Sequence, residues 1–84
     1  KQATRDERLA LRAEVRKSEA RIGKLEDMRD KLAKKLADPA LYEDGRVGEM
    51  ETWQKKYAEV MDALERAEAM WMDAEAKLEA AEAS

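Results

Sequence analysis

Residues 37–48 read ADPALYEDGRVG, and they decide the fold because they separate two long segments of helical periodicity. Pro39 has no backbone N–H to donate and its ring clashes with the preceding turn, so the first helix ends before it. Asp38 suits an N-cap and Pro39 suits the first helical position, which predicts one short helical turn over residues 39–42. Asp44-Gly45 is a turn signal that ends this segment.

Apolar residues recur at steps of three and four on both sides of this break, which is the spacing of a coiled coil. The first seam is Arg8, Leu11, Val15, Ser18, Ile22, Leu25, Arg29, Leu32 and Leu36. The second seam is Met50, Trp53, Tyr57, Val60, Leu64, Ala67, Trp71, Ala74, Leu78 and Ala81. The first seam contains polar members, whereas the second contains no charged residue.

A short linker makes antiparallel neighbours the default for two such helices. The predicted fold is therefore all-α, a two-helix antiparallel coiled-coil hairpin with a short helical turn at the tip. We expect one domain over residues 1–84, with helices at about 5–37 and 47–82 and the tip at 38–46. Leu41 and Tyr42 are expected to cover the end of the seam.

Two registers of the hairpin remain open. The first places Ser18 opposite Trp71, whereas the second, one heptad away, places Leu11 there and relieves a repulsion between Lys35 and Lys56. Burial of a large apolar side chain contributes roughly 1.5–3 kcal/mol, and an exposed ion pair at most about 1 kcal/mol, so core fit favours the first register. The cross-helix pairs expected in that register are Arg5 with Glu82, Arg12 with Glu75 and Glu14 with Lys77.

Composition excludes most catalytic classes. The 84 residues contain no His and no Cys, which removes the commonest general base, the commonest metal ligands and the thiolate nucleophile. A two-helix rod also lacks the enclosed pocket in which a carboxylate pKa is shifted for acid–base work. We therefore predict no catalytic residue, no cofactor site and no metal site in this chain.

No apolar run approaches the roughly 18–20 residues that span a bilayer, and no signal peptide is visible. We expect no membrane contact and a cytoplasmic location. The chain begins at Lys1 rather than Met, so we expect it to be a piece of a larger protein. A monomer is the expected state, and an intermolecular coiled-coil dimer is the alternative.

Charge is divided unevenly along the chain. Residues 1–38 carry 12 Lys and Arg against 8 Asp and Glu, a balance of +4, whereas residues 39–84 carry 5 against 12, a balance of −7. Cations recur along one flank of the first helix, with Met28 in a gap, and such a row is able to follow a phosphate backbone. The candidate nucleic-acid-binding residues are Lys17, Arg21, Lys24, Lys31, Lys34 and Lys35.

A second interpretation of these cations is that they are ordinary flanking charges that complement the negative charge of an acidic second helix. Composition alone favours this interpretation, whereas the Lys35–Lys56 repulsion favours binding, since a pure scaffold gains nothing from it. In the favoured register Lys55 and Lys56 lie near the tip end of the same row. Trp53 and Trp71 are predicted to be core residues rather than base-stacking platforms, because both occupy seam positions.

Two motifs resemble a known family. Leu36-Ala37-Asp38-Pro39-Ala40-Leu41-Tyr42 is followed by Val47, and Ala69-Met70-Trp71-Met72-Asp73-Ala74-Glu75 lies late in the second helix. Together they resemble the C-terminal coiled-coil domain of ABC-F proteins of the Uup and YheS type, which has Leu-Ala-Asp-Pro-x-Leu-Tyr at its hairpin tip. The resemblance covers roughly residues 8–82, and Ser18 and Arg29 depart from it where relatives often have apolar residues.

The resemblance implies that the chain is the tail of a larger ATPase whose two cassettes bind and hydrolyse ATP with magnesium. Relatives act on the ribosome, and the tail of the Uup branch is associated with DNA binding, so the implied partner of the basic row is DNA or ribosomal RNA. The alternative is a protein-interaction or spacer module that packs on its own ATP-binding cassettes or on another partner. Leu9 and Met72, which lie outside the seams, favour this alternative.

Overall fold

The computed structural model describes residues 2–83 as two long helices that pack side by side and are joined by a short tip. Helix α1 spans Arg5–Ala37, a 3₁₀ turn spans Pro39–Tyr42 and helix α2 spans Val47–Glu82. The molecule measures 64 × 15 × 14 Å, which are the dimensions of a two-helix rod. The predicted all-α antiparallel hairpin with a helical turn at its tip is confirmed.

Helix α1 begins at a capping box. The Thr4 hydroxyl accepts a hydrogen bond from the Glu7 backbone N–H at 3.1 Å, and the Glu7 carboxylate accepts one from the Thr4 backbone N–H at 3.4 Å. These bonds satisfy backbone donors that have no partner within the first turn. Asp6 and Glu7 also place negative charge at the positive end of the helix dipole.

The two predicted seams form the interface between the helices, because every seam residue is buried or partly buried. The buried members are Val15, Ser18, Val60, Leu64, Ala67, Ala74 and Ala81. Several of them are alanines that face larger side chains, and this alternation of small and large residues fills the space between the helices. The core is therefore a single layer of side chains along the rod.

Contacts across the interface follow the first of the two registers. Ser18 lines one groove with Met70 and Ala74, which bracket Trp71 in α2. Near the tip, the Lys35 ammonium lies over the Trp53 ring. Both contacts belong to the register in which Ser18 faces Trp71, and a shift of one heptad would separate both pairs.

The cross-helix ion pair of Arg12 differs from the expected one. Its guanidinium donates to the Glu82 carboxylate at 3.2 Å, one heptad beyond the predicted partner Glu75. Side chains on a helix lean toward the N-terminus of their own helix, so Arg12 leans toward the open end of the hairpin and Glu82 leans back toward the tip. The expected pairing of Lys77 with Glu14 is also replaced, because the Lys77 Nζ lies 2.9 Å from the Asp73 Oδ2 within the same helix.

Asp38 ends α1 and begins the 3₁₀ turn. Its backbone N–H donates to the Lys35 carbonyl at 3.3 Å, and its carboxylate accepts the Ala40 N–H at 3.0 Å. Leu41 is only 1% exposed and closes the end of the seam, as expected. Gly45 has a φ of 85°, a left-handed conformation that glycine adopts without the steric cost of a Cβ atom.

Tyr42 was expected beside Leu41 over the seam, but its side chain is 54% exposed. Its hydroxyl instead donates a hydrogen bond of 2.6 Å to the Leu36 carbonyl. That carbonyl is one of the last four of α1, which have no partner within the helix. Tyr42 therefore caps the end of α1 from the outside.

Arg46 connects the tip to the start of α2. Its Nη1 donates to the Ala40 carbonyl at 2.7 Å, and its Nε and Nη2 donate to the two Glu49 oxygens at 3.0 and 2.9 Å. The hydrogen bonds from Arg46 lower the pKa of Glu49, with a smaller contribution from the Trp53 indole. The Arg46 guanidinium thus joins the 3₁₀ turn to the first turn of α2 and fixes the position of one relative to the other.

Replacing Tyr42 with Phe is expected to lower the free energy of unfolding by about 1 kcal/mol, because the Leu36 carbonyl loses its hydrogen bond. Urea unfolding followed by circular dichroism measures this loss. The matched control is Tyr57→Phe, whose hydroxyl makes no hydrogen bond within residues 2–83, and it should change stability by less than about 0.5 kcal/mol. Equal effects of the two substitutions would contradict the capping role.

Replacing Arg46 with Met is expected to raise the pKa of Glu49 toward its ordinary value of 4.5. In the native chain the folded-state pKa is lowered, so the pair stabilises the tip above the unfolded pKa and loses this contribution as pH falls through the folded pKa. A carbon-13 NMR titration of the Glu49 carboxyl group measures the shift. Arg16→Met is the control, and a Glu49 titration that is identical in both variants would disprove the assignment.

Candidate nucleic-acid interface

Five of the six predicted cations lie along one side of the hairpin. Arg21 and Lys35 occupy the repeat position that flanks the seam on that side, and Lys17, Lys24 and Lys31 occupy the next position outward. We define the basic flank as Lys17, Arg21, Lys24, Lys31 and Lys35 of α1 together with Lys56 of α2. Lys34, the sixth predicted residue, is exposed on the outward face of α1 beside this flank.

Two shallow grooves between the helices follow the basic flank. The first lies along the N-terminal half of α1 and is lined by Glu14, Lys17, Ser18, Arg21 and Met70. The second lies nearer the tip, and we call it the tip groove; it is lined by Met28, Lys31, Leu32, Trp53, Lys56, Glu59 and Val60. Lys24 is exposed between the two grooves, so the cations form one nearly continuous row.

The predicted cations form no ion pair within residues 2–83, although Lys35 contributes, after Arg46 and Trp53, to the lowered pKa of Glu49. Within residues 2–83 the ion pairs are Arg12–Glu82, Arg29–Asp30, Arg46–Glu49, Arg66–Asp62 and Lys77–Asp73, and none involves a predicted binding residue. Five of the six are exposed, and Lys35 is partly buried. Glu14 and Glu59 are the carboxylates that line the two grooves. The row therefore keeps a positive surface although the chain is acidic overall.

Lys35, Trp53 and Lys56 form a compact group at the tip end of the flank, which we call the Trp53 cluster. The Nζ atoms of Lys35 and Lys56 lie 5.1 and 5.9 Å from the centre of the Trp53 ring. The negative face of an indole attracts cations by about 0.5–1 kcal/mol at exposed sites. The ring therefore offsets part of the repulsion that the sequence predicts between these two lysines.

Sequence reasoning placed Trp53 in the core, and the seam position of Arg29 favours either a role in setting the register or a position above the Trp53 or Tyr57 ring. Trp53 is indeed partly buried in the seam, but its cationic neighbours are the two lysines. Arg29 instead donates to Asp30 at 3.0 Å, and this bond raises the pKa of its guanidinium. The facing positions of Lys35 and Lys56 were visible in the sequence, but the approach of both ammonium groups to the Trp53 ring depends on side-chain conformation.

The opposite side of the rod has different chemistry. Its exposed apolar side chains are Leu9, Met61 and Met72, at 45%, 39% and 64% exposure. One groove on this side is lined by Met61, Asp62, Leu64, Glu65 and Glu68. We call this surface the acidic flank, and Glu65 and Glu68 of α2 lie on it, on the side opposite the basic flank.

Metal binding and membrane crossing both require features that are absent from residues 2–83. Nowhere in this range do three acidic side chains come together in a way that would hold a metal ion. Neither α1 nor α2 is apolar enough over a sufficient length to cross a membrane. The candidate binding features among residues 2–83 are charged surfaces and shallow grooves.

The fold and its surfaces define a helical hairpin that presents one basic and one acidic flank. A family model described as the ABC transporter C-terminal domain matches residues 8–76, which include both the tip motif and the Trp71 motif. The chain belongs to this family and is the C-terminal domain of an ABC-family ATP-binding protein. No curated protein and no solved structure matches the chain at a significant level.

Replacing Trp53 with Leu is expected to destabilise the hairpin more at low salt than at high salt. The substitution removes the ring that offsets the Lys35–Lys56 repulsion, and about 1 M salt screens that repulsion, since the Debye length is then about 3 Å. Thermal unfolding at both salt concentrations measures the difference. Trp71→Leu is the matched control, because no cation within residues 2–83 lies over the Trp71 ring. The loss of thermal stability in Trp71→Leu should be nearly independent of salt. Equal salt dependence in the two variants would refute the role of the cluster.

Proposed function

We propose that this domain belongs to an ABC-F type protein and contacts nucleic acid, DNA or ribosomal RNA, through the basic flank and the adjoining Lys34. The tip motif and the Trp71 motif support the ABC-F assignment. The observation that carries the proposed contact is the row of cations without ion pairs among the described residues, in a chain with 20 Asp and Glu. Glu14 and Glu59 line the two grooves of the flank, but neither forms an ion pair with one of these cations.

The geometry of the row suits a phosphate backbone. Lys17 and Lys35 are separated by about 27 Å along α1 at 1.5 Å per residue. One turn of duplex DNA rises about 34 Å, so the row is long enough to contact several successive phosphates. A straight two-helix rod holds these cations at fixed intervals, which lowers the entropy lost when they bind.

In this proposal the remainder of the parent protein supplies the catalysis. Its cassettes would bind ATP with magnesium and hydrolyse ATP, whereas the hairpin would act as a cytoplasmic, monomeric arm. Nucleotide-driven movement of the cassettes would then change the position of the basic flank against DNA or the ribosome. In this scheme the hairpin binds the nucleic acid at a distance from the cassettes and takes no part in ATP hydrolysis.

The double substitution Lys24→Glu with Lys31→Glu is expected to weaken binding of a labelled duplex by roughly tenfold at low salt. The slope of log affinity against log salt should become shallower by about 0.9 for each lost phosphate contact on a duplex. Fluorescence anisotropy at several salt concentrations measures both quantities, for a DNA duplex and for a ribosomal RNA fragment.

The matched control for this experiment is Arg16→Glu compared with the single variant Lys24→Glu. Arg16 is an exposed cation of α1 on the side of the acidic flank, so both variants change the net charge equally. Only Lys24→Glu should weaken binding appreciably. Equal losses would indicate a response to net charge alone, and an absence of binding at low salt would refute the proposed function.

The second candidate function is a protein contact made by the acidic flank. It is favoured by Leu9, Met61 and Met72, which are exposed apolar side chains beside carboxylates and would suit a basic partner such as the protein's own cassettes. This function requires no binding of nucleic acid. The same anisotropy experiment therefore separates the two candidates.

A further inference from the structure

The tip groove combines features that the rest of the basic flank lacks. It has a volume of about 370 Å³, and its apolar lining consists of Met28, Leu32, Trp53 and Val60. Met28 is 49% exposed, so this lining is open to solvent. Lys31 and Lys56 also line the groove, and Lys35 lies over the same Trp53 ring as Lys56.

We infer that the tip groove binds an unpaired nucleotide of a single strand. A phosphodiester group would lie between the Lys35 and Lys56 ammonium groups, and its base would lie against Met28 and the Trp53 edge. This inference rests on the proposed function and names the form of nucleic acid that one part of the flank takes. The shared chemistry is a phosphate with an exposed base, in DNA or in RNA.

The Trp53 cluster is the argument for a phosphate. Two like charges lie close to one ring and neither belongs to an ion pair within residues 2–83, while Glu49 offsets part of the charge of Lys35 from a longer distance. A carboxylate in either position would convert the repulsion into an attraction, as the pair of Arg12 and Glu82 does at the other end. A bound phosphate relieves the repulsion by forming charge-assisted hydrogen bonds with both ammonium groups.

The apolar lining is the argument for an unpaired base. Bases in a duplex are stacked on one another, so they offer no face to a groove on a protein surface, whereas an unpaired base exposes its face to aromatic and apolar side chains. Glu59 at the groove would repel a phosphate but is able to accept a hydrogen bond from the amino group of a base. The groove lined by Lys17 and Arg21 contains no aromatic ring, so it suits phosphate contacts alone.

The test compares single strands with duplexes on the full 84-residue chain. Labelled single-stranded DNA and RNA oligonucleotides and the duplexes of the same sequence are titrated in one low-salt buffer, and anisotropy gives each affinity. The single strand should bind at least about fivefold more tightly than its duplex. In a Trp71→Phe background, the remaining Trp53 fluorescence should be quenched by the single strand and not by the duplex.

Two substitutions assign the effect to the tip groove. Lys56→Gln and Met28→Glu should each weaken single-strand binding by about fivefold and duplex binding by a smaller factor, because the duplex keeps only the phosphate contacts of the flank. Lys55→Gln is the matched control for Lys56→Gln, since Lys55 is an exposed neighbour that does not line the groove, and it should leave both affinities unchanged. Circular dichroism verifies that each variant keeps its helix content.

The outcomes separate this inference from the proposed function. Equal affinities for single strand and duplex, or equal losses in Lys56→Gln for both, would overturn the tip-groove inference. The proposed function would survive such a result if the double substitution of Lys24 and Lys31 still weakens duplex binding. If neither form of nucleic acid binds the native chain at low salt, both proposals fail.

Discussion

Every feature of this hairpin depends on the single layer of side chains between α1 and α2. Neither helix has a second apolar face, and a rod 15 Å wide has no other interior. Small members such as Ala67 and Ala74 let the helices approach closely, while Leu64 and Val60 fill the space beside them. Because burial along this one strip provides most of the favourable free energy, most helix residues outside the strip are available for surface roles.

Antiparallel pairing converts an uneven distribution of charge along the chain into an uneven distribution across the rod. The basic side of α1 meets the side of α2 that carries Lys56, whereas Glu65 and Glu68 lie on the other side. The ion pair of Arg12 with Glu82 joins the helices near the open end. In the tip half, repulsion between Lys35 and Lys56 remains and is offset only in part by an aromatic ring. The two lysines thus depart from the charge complementarity that Arg12 and Glu82 show near the open end.

Trp53 serves both the core and the surface. As a seam residue it is partly buried in the hairpin core, and its ring also lies beneath two ammonium groups. Trp71 occupies an equivalent seam position, but its indole Nε1 is buried without a hydrogen-bond partner among the described residues. The two tryptophans therefore have similar roles in packing and different roles at the surface, a difference that their sequence positions do not reveal.

The sequence by itself determined the break at Pro39, the two seams and the side of α1 on which the cations lie. These properties follow from local chemistry and from periodicity, since residues spaced by three and four share one side of any helix. Periodicity sets the direction in which a side chain points but leaves the axial offset of two helices open, because successive heptads resemble one another. The tertiary structure therefore decided the register, the partner of Arg12, the outward position of Tyr42 and the meeting of Lys35 and Lys56 on Trp53. Each of these depends on how leaning side chains fit across the interface, which is a property of both helices together.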